Sequence, residues 1–492
     1  MPFKPVILWT DALVYLLVAV VIALALYIRG HEHLRAPWRS VARNASGMAA
    51  GTVLVFFVAI GLVDSFHYRT AVSVKDGKTV YAVEVLSALD AIVEPLRTRK
   101  EKTYSSPLAT HLYAKETMEL PDGRTARDYP RLKHGGAHLG NPEAEFASDI
   151  AGNALRGAAA GAALWGAVAL LLCVLLARRR HAGVGAAWRA VWRGETEVPW
   201  RAVLVTLALV LVAGGVLAAL SVKYHVLGTS KVGQDVLYLS LKSIRTGLVI
   251  GTLTTLIMLP FALLLGVMAG YFRGWVDDVI QYLYTTLSSI PGVLLIAAAV
   301  LMMQVYIDTH PELFETVTER ADLRLLFLCI ILGITSWTGL ARLLRGEALK
   351  LREMEYIQAA HAFGVSHLRI IVRHILPNVM HIVLIAVVMD FSGLVLAEAV
   401  LSYVGVGVDP SMISFGTMIN SARLEMAREP MVWWSLLAAF TFMLMMVLSA
   451  NLFADAVRDA FDPRVKSRVL TPERLREIAA DGTGTRQAGR TA

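Results

Sequence analysis

The stretch Glu355-Tyr-Ile-Gln-Ala-Ala-His-Ala-Phe-Gly-Val-Ser-His-Leu-Arg-Ile-Ile-Val-Arg-His-Ile-Leu-Pro-Asn378 lies between two long apolar runs. A connection between membrane spans needs only a few residues, so an ordered polar insertion of this size reads as a docking surface. Its halves, Arg352–Phe363 and Ser366–Ile375, each carry apolar residues at helical spacing. Gly364 stands between them, where a left-handed C-cap lets the chain turn sharply. Ser366 is placed to cap the second half, and Pro377 to end it and open the next span. Shape alone also fits an amphipathic hairpin lying on lipid headgroups.

The surrounding chain is that of a polytopic membrane protein. Of 492 residues, 56% are hydrophobic and only 17% charged, where a soluble chain is nearer a quarter charged. Cys173 and Cys329 both sit in apolar runs, which excludes a disulfide framework or a metal knuckle. The net charge of +8 follows from basic loops rather than nucleic-acid binding. The first apolar run lacks a small-residue cleavage site and reads as a retained span.

Runs of about 20 apolar residues cross a bilayer as helices. They fall at Val6–Ile28, Gly47–Val63, Leu155–Ala177, Ala202–Val222, Thr246–Tyr271, Val276–Tyr306, Leu323–Leu343, Val379–Val404 and Trp433–Ala454. The basic loops 29–43, 178–201 and 342–373, with a basic tail, put the N-terminus outside and the C-terminus in the cytoplasm. Residues 64–153 then lie outside as a small α+β domain, with a strand-like Ala71–Val85, a turn at Asp76-Gly77 and a helical patch at Val83–Leu96. The expected organisation is two spans (1–63), the outer domain (64–153), a third span with a basic linker (154–200), a six-span unit (201–465) and a disordered tail (466–492).

Four motifs of the second half carry a resemblance. The opening stretch resembles the cytoplasmic "EAA" loop of ABC-importer permeases at Ala359, Ala360, Gly364, Leu376 and Pro377. It departs at Gln358, where the pattern has Glu, and at His374, where it often has Ile. Leu227-Gly-Thr-Ser-Lys-Val-Gly-Gln-Asp-Val236 is similar to an outer signature of the dipeptide/oligopeptide/nickel branch. It matches at Gly228, Thr229, Gly233, Asp235 and Val236 and departs at Ser230 and Gln234. Its two glycines beside short polar residues predict a tight turn that braces the outer mouth at Gly228, Thr229, Gly233 and Asp235, an ordinary surface turn being the plainer role. Leu396–Val408 and Asn451–Arg464 resemble that branch's later motifs. In the last, Asp455, Arg458, Asp459, Asp462 and Arg464 are spaced for ion pairing at a helix end.

The resemblance covers about residues 200–465. It implies an all-α polytopic fold with a six-helix type I importer core inside about nine spans, sited in the bacterial inner membrane. It implies a second homologous permease, two ABC ATPase subunits docked at the loop near 342–377, and an extracytoplasmic solute-binding protein. ATP and Mg would be held on the ATPases, with no cofactor on this chain. The solute class it implies is peptides or similar small molecules, with nickel and a peptide-like antibiotic left open.

The residues themselves agree that the chain is not an enzyme. No Gly-x-x-x-x-Gly-Lys-Ser/Thr phosphate loop occurs, His31-Glu-His is too short for a zinc-protease helix, and His134 and His138 flank Gly135-Gly136. Asp390 and Glu398, eight residues apart in the eighth span, fall on neighbouring faces of one helix and are candidates to line a pathway. Ion pairing to a neighbouring span is the plainer role. Pro260 and Pro291 inside spans imply kinks. A competing function is an ion- or proton-coupled secondary transporter built on those two carboxylates, although no internal repeat supports it. A scaffold or sensor using residues 64–153 is a third class.

Overall fold

A computed structural model describes residues 3–75, 78–119, 125–181, 183–313 and 316–461. The Asp76-Gly77 turn, Asp462, Arg464 and the 466–492 tail lie outside the described residues. The chain starts with β1 (Phe3–Val6), α1 (Trp9–Gly30), α2 (Glu32–Arg43) and α3 (Ala45–Asp64). The inserted domain follows: β2 (His67–Lys75), β3 (Lys78–Tyr81), β4 (Leu86–Ser87), α4 (Ala88–Ile92), α5 (Glu94–Thr98), β5 (Glu116–Glu119) and β6 (Thr125–Asp128). Then come α6 (Pro142–Arg180), α7 (Val184–Arg193), α8 (Trp200–Ser221) and α9 (Val236–Phe272). The remainder is α10 (Trp275–Ser289), α11 (Gly292–Thr309), α12 (Val317–Ser336), α13 (Thr338–Arg352), α14 (Glu355–Ala362), α15 (His367–Ile370), α16 (Leu376–Val404), α17 (Phe415–Glu425) and α18 (Trp434–Phe461). Among the described residues, nine helical stretches are long and apolar enough to cross a membrane, the number expected.

Several boundaries differ from the expectation, each for a local reason. The sixth expected span is two helices. Pro291 has no N–H to continue α10 and forces Ile290 into extended backbone (φ −88°, ψ 130°), so the chain stops and restarts. Pro260, by contrast, lies inside the uninterrupted helix α9. The third and fifth spans are longer than their apolar runs. At 39 and 37 residues, α6 and α9 each reach about 55–58 Å and extend beyond a bilayer core toward the inserted domain.

The start of the chain is not a span at Val6 but a strand. β1 pairs antiparallel with β2, Phe3 opposite Thr70 and Val6 opposite His67, which joins the N-terminus to the inserted domain. β2 also pairs with β3 and β4, completing a four-stranded sheet, and β5 with β6 forms a separate hairpin. The helical patch at Val83–Leu96 is a strand and two short helices instead. Ser87 and Asp90 make a capping box that starts α4 only at Ala88, and Pro95 near the start of α5 marks the next beginning.

The helices form a bundle with one side edge. Glycines bring α9 against α13: a Cβ at Gly266 or Gly270 would collide with the Ala341 or Arg345 backbone. The same device joins α6 to α8, where Gly157 and Gly161 meet Gly215 and Leu211. α8, the first of the six expected core spans, packs on α6 and α3, while α3 packs on α18 and α9. The extra spans are therefore continuous with the core rather than appended to it. α2, α7 and the 353–375 loop share one side of the bundle; the inserted domain and the Leu227–Val236 turn share the other.

Candidate functional site

The 353–375 segment is a helix–turn–helix held against the ends of α9 and α13. α14 stops at Phe363, and Gly364 adopts φ +75° as its spacing implies. The Val365 N–H then reaches back to the Ala360 carbonyl at 3.1 Å. Ser366 stands at the N-cap of α15 but its side chain makes no capping hydrogen bond. Pro377 does not end the second half. A π turn, Ile371–Ile375, closes with the Leu376 N–H on the Ile371 carbonyl, and α16 runs on through the proline. The wider turn just ahead of Pro377 is what lets the helix pass a residue without an N–H.

Ile357, Ile370 and Ile375 are buried with Tyr271, Leu344 and Ala348, which seats the loop on the bundle. Polar bonds fasten the same seam. Arg345 grips Asp277 with two bonds of 2.6 Å, the Arg352 guanidinium donates to the Tyr271 carbonyl at 2.8 Å, and Tyr271 Oη meets His367 Nδ1 at 2.8 Å. The outward face keeps apolar groups without cover: Phe363 is 87% exposed and Leu368 73%. Gln358 and Ala359 are exposed and Ala360 is half-buried; Leu376 is half-buried and Pro377 exposed. Gln358 Nε2 bonds the Glu353 carbonyl (3.2 Å), a contact the Glu of the usual pattern could not make.

On the opposite side the Leu227–Val236 turn is a seat for the inserted domain. Gly228 and Gly233 have φ +74° and +71°. The Glu101 N–H donates to the Gly233 carbonyl (3.0 Å), the Thr229 N–H to the Ser105 carbonyl (3.0 Å), and the Ser105 N–H to Thr229 Oγ1 (2.6 Å). Trp434, opening α18, donates its indole N–H to the Thr229 carbonyl at 3.0 Å. Asp235 caps α9 through the Leu237 N–H at 2.8 Å and holds His225 Nδ1 at 2.7 Å with its other oxygen. His225 Nε2 faces Glu101 Oε1 at 3.4 Å, and Glu101 also accepts from the Lys133, His134 and Gly135 N–H groups.

A buried carboxylate–imidazolium–carboxylate chain therefore joins the domain to the start of α9. Burial alone would raise Glu101 and lower His225. The bonds override it: His225 and the His134, Lys133 and Gly135 N–H groups draw Glu101 down to about 2, and Asp235 with Glu101 lifts His225 to about 9. The sign follows. Stability from His225 is full below its unfolded value, about 6.5, and is lost as pH rises through about 9. Stability from Glu101 is full above its unfolded value, 4.5, and is lost as pH falls through about 2. The seat is thus firmest between those unfolded values and loosens from there toward alkaline pH by roughly 3 kcal/mol. Limited proteolysis within 99–116 should accelerate between pH 7 and pH 10, and His225→Gln should flatten that dependence. A rate that is the same in both proteins across this range would remove the imidazolium from the account.

A second polar network, unforeseen in the sequence reading, ties α1 to the bundle. Arg245 Nη2 donates to Thr10 Oγ1 (2.9 Å) and Asp11 (2.5 Å) and lies 3.6 Å from Asp322. The Thr10 hydroxyl donates to Asp322, its N–H does so at 3.1 Å, and His67 Nδ1 meets Asp11 at 2.7 Å. Next to it Lys242 bridges Asp64 (2.7 Å) and Asp90 (3.2 Å). The available signal was Asp11, a carboxylate inside the first expected span.

The two carboxylates of α16 have separate surroundings. Glu398 is 1% exposed and accepts from Ser402 Oγ at 2.7 Å and Ser414 Oγ at 2.8 Å. Gly416 comes so close that any side chain there would collide with Ser402 and Glu398. The carboxylate therefore pins α17 against α16. Asp390 is half-buried and has no hydrogen bond or ion pair among the described residues. A cavity of about 530 Å³ opens beside α17, bordered by Tyr104, Gln234, Ser402, Asn420 and Glu425.

The family described as "Binding-protein-dependent transport system inner membrane component" matches over residues 262–467. The oligopeptide transport system permease protein OppC of Mycobacterium tuberculosis (strain H37Rv) is 32% identical over 243 residues, 49% of this chain and 77% of that protein. The glutathione transport system permease protein GsiD of Pectobacterium atrosepticum is 32% identical over 244 residues, 49% of this chain and 74% of that protein. A chain of the inward-facing MetNI methionine ABC transporter overlaps 46% of this chain and 97% of its own length, at 15% identity and TM-score 0.36. That last likeness is too loose to carry an argument.

Proposed function

The chain belongs to the binding-protein-dependent transport family of inner-membrane permeases, and we propose that it is the peptide-class pore subunit of an ABC importer. It pairs with a second, homologous permease and receives solute from an extracytoplasmic binding protein. Two ABC ATPases bind and hydrolyse ATP with Mg; this chain holds neither. The basic side carrying α2, α7 and the 353–375 loop is cytoplasmic, and the inserted domain and N-terminus are outside. Relatives named for oligopeptide and glutathione transport support the peptide class.

One observation carries the reading: a rigid helix–turn–helix, bonded to α9 and α13, that presents Phe363 and Leu368 uncovered. Gln358, Ala359, Ala360 and Gly364 shape its outer half, and Leu376 and Pro377 pass its motion into α16. ATPase closure pushes this element, and because α9 and α13 move with it the spans switch between two discrete states. Asp390 faces the pathway in this scheme, while Glu398 holds α17 in place.

The test is affinity purification in mild detergent, wild type beside Gly364→Pro. Proline cannot adopt φ +75°, so the turn must break. Stoichiometric ATPase and a second permease are expected with the wild type only, with both proteins monodisperse. Wild-type protein that emerges alone in several detergents sinks the importer reading and brings forward a secondary transporter using Asp390.

A further inference from the structure

The hairpin of α6 and α8, which precedes the 262–467 family match, ends on the basic side in a platform that the transport reading does not use. Residues 178–201 contain six Arg against two Glu, Glu195 and Glu197. Arg178 and Arg179 end α6, Arg189 and Arg193 lie on α7, and Arg201 begins α8; all five are exposed. None of those five makes an ion pair with a carboxylate among the described residues.

The aromatic groups beneath them are ordered. α7 packs on the hairpin through Ala187 and Val191, the latter fully buried with Ala169 and Leu204. That leaves Trp188 and Trp192 each 37% exposed, their rings 5.6 Å apart, with Trp165 6.5 Å from Trp188. Trp165 is itself fixed by its N–H on the Leu204 carbonyl at 2.8 Å. On α7 the buried positions 187 and 191 place the tryptophans about 100° round the helix and Arg189 and Arg193 about 200°. The rings therefore lie between the buried seam and the outward-facing guanidinium groups, the order that an interfacial helix needs to set indoles at acyl-chain level with guanidinium groups above them. Indole rings favour that boundary, and guanidinium pairs bidentately with phosphate.

We propose that this platform is a binding site for anionic phospholipid headgroups, holding lipid of the adjacent leaflet against the α6–α8 hairpin. Charge complementarity selects the occupant: unpaired arginines at headgroup depth need a phosphodiester with net negative charge, which a zwitterionic lipid lacks. That this leaflet is the cytoplasmic one rests on the orientation proposed above; the binding itself does not.

Native mass spectrometry of the full chain, with added phosphatidylglycerol or phosphatidylcholine, tests it. The wild type should hold phosphatidylglycerol at least about tenfold more tightly, since each basic residue at such a surface contributes several-fold. The variant R178Q/R179Q/R189Q/R193Q/R201Q should lose that preference, as should the pair R189Q/R193Q in large part, whereas R369Q/R373Q, which removes the same number of charges as that pair but from the 353–375 loop, should keep it. If the five-fold variant does not fold, raising salt to about 1 M on the wild type must erase the preference, because the Debye length falls to roughly 3 Å. Equal binding of the two lipids, retention of the preference by the five-fold variant, or displacement of the lipid by inorganic phosphate would each overturn the proposal. The readout is independent of whether ATPase subunits co-purify, so it and the importer reading can fail separately.

Discussion

Replacing Arg245 with Met should destabilise the protein by about 3–5 kcal/mol, the usual cost of breaking a buried ion pair from one side. Arg245 is the cation shared by Asp11 of α1 and Asp322 of α12, which are 1% exposed apiece. Methionine keeps the aliphatic stem of the side chain but leaves two carboxylates buried near the membrane boundary, with the His67 ring nitrogen as the remaining partner of Asp11. The loss should appear as a lower melting temperature in detergent. It should also detach α1, whose other contacts are few: its apolar window is only 6% buried. Converting Arg245→Met together with Asp11→Asn and Asp322→Asn should recover much of the stability, because no unpaired charge remains. A triple variant as unstable as the single one would mean that the arginine acts by packing rather than by charge.

This network marks where sequence reading stopped. Spans were legible because twenty apolar residues in a row leave few alternatives, and Gly364 was legible because a helix-spaced pattern broken at one glycine needs a left-handed residue there. Arg245 was not. It sits one residue outside an apolar run, where any basic residue also fits as a snorkelling end group. Only the fold shows that Asp11 lies against it, 234 positions away. Likewise β1 could not be told from the start of a span, since Phe3–Val6 is short and its partner, β2, is more than sixty residues on. The break at Pro291 was foreshadowed, but whether proline kinks or ends a helix depends on its neighbours: α9 absorbs Pro260 and α10 stops. Gly228, Thr229, Gly233 and Asp235 were singled out as a turn at the outer mouth. That the turn seats residues 101–105 belongs to long-range packing that the local motif does not encode.

That seat yields the other large effect. Gly233→Ala should unseat the inserted domain. Gly233 has φ +71°, already unfavourable for alanine by about 1–2 kcal/mol, and a Cβ there would fall within the van der Waals radius of the Glu101 carbonyl. Both atoms in collision are backbone, so no side chain can swing away. Relief requires the 101–105 segment to retreat, which breaks the Glu101–Gly233 and Ser105–Thr229 bonds and exposes His225. Proteolysis at the exposed Lys100 and Lys102 should then become rapid at neutral pH, as it does in the wild type only at alkaline pH. If the cleavage rate does not change, Gly233 is not the contact that holds the domain. With the domain released, uptake separates two roles. The seat also carries Asp235, which caps α9, and meets Trp434 at the head of α18, so the domain braces two helices at the mouth. Uptake lost while ATPase subunits still co-purify would place that brace in the transport cycle. Uptake retained would make the domain a cover that the pore can work without.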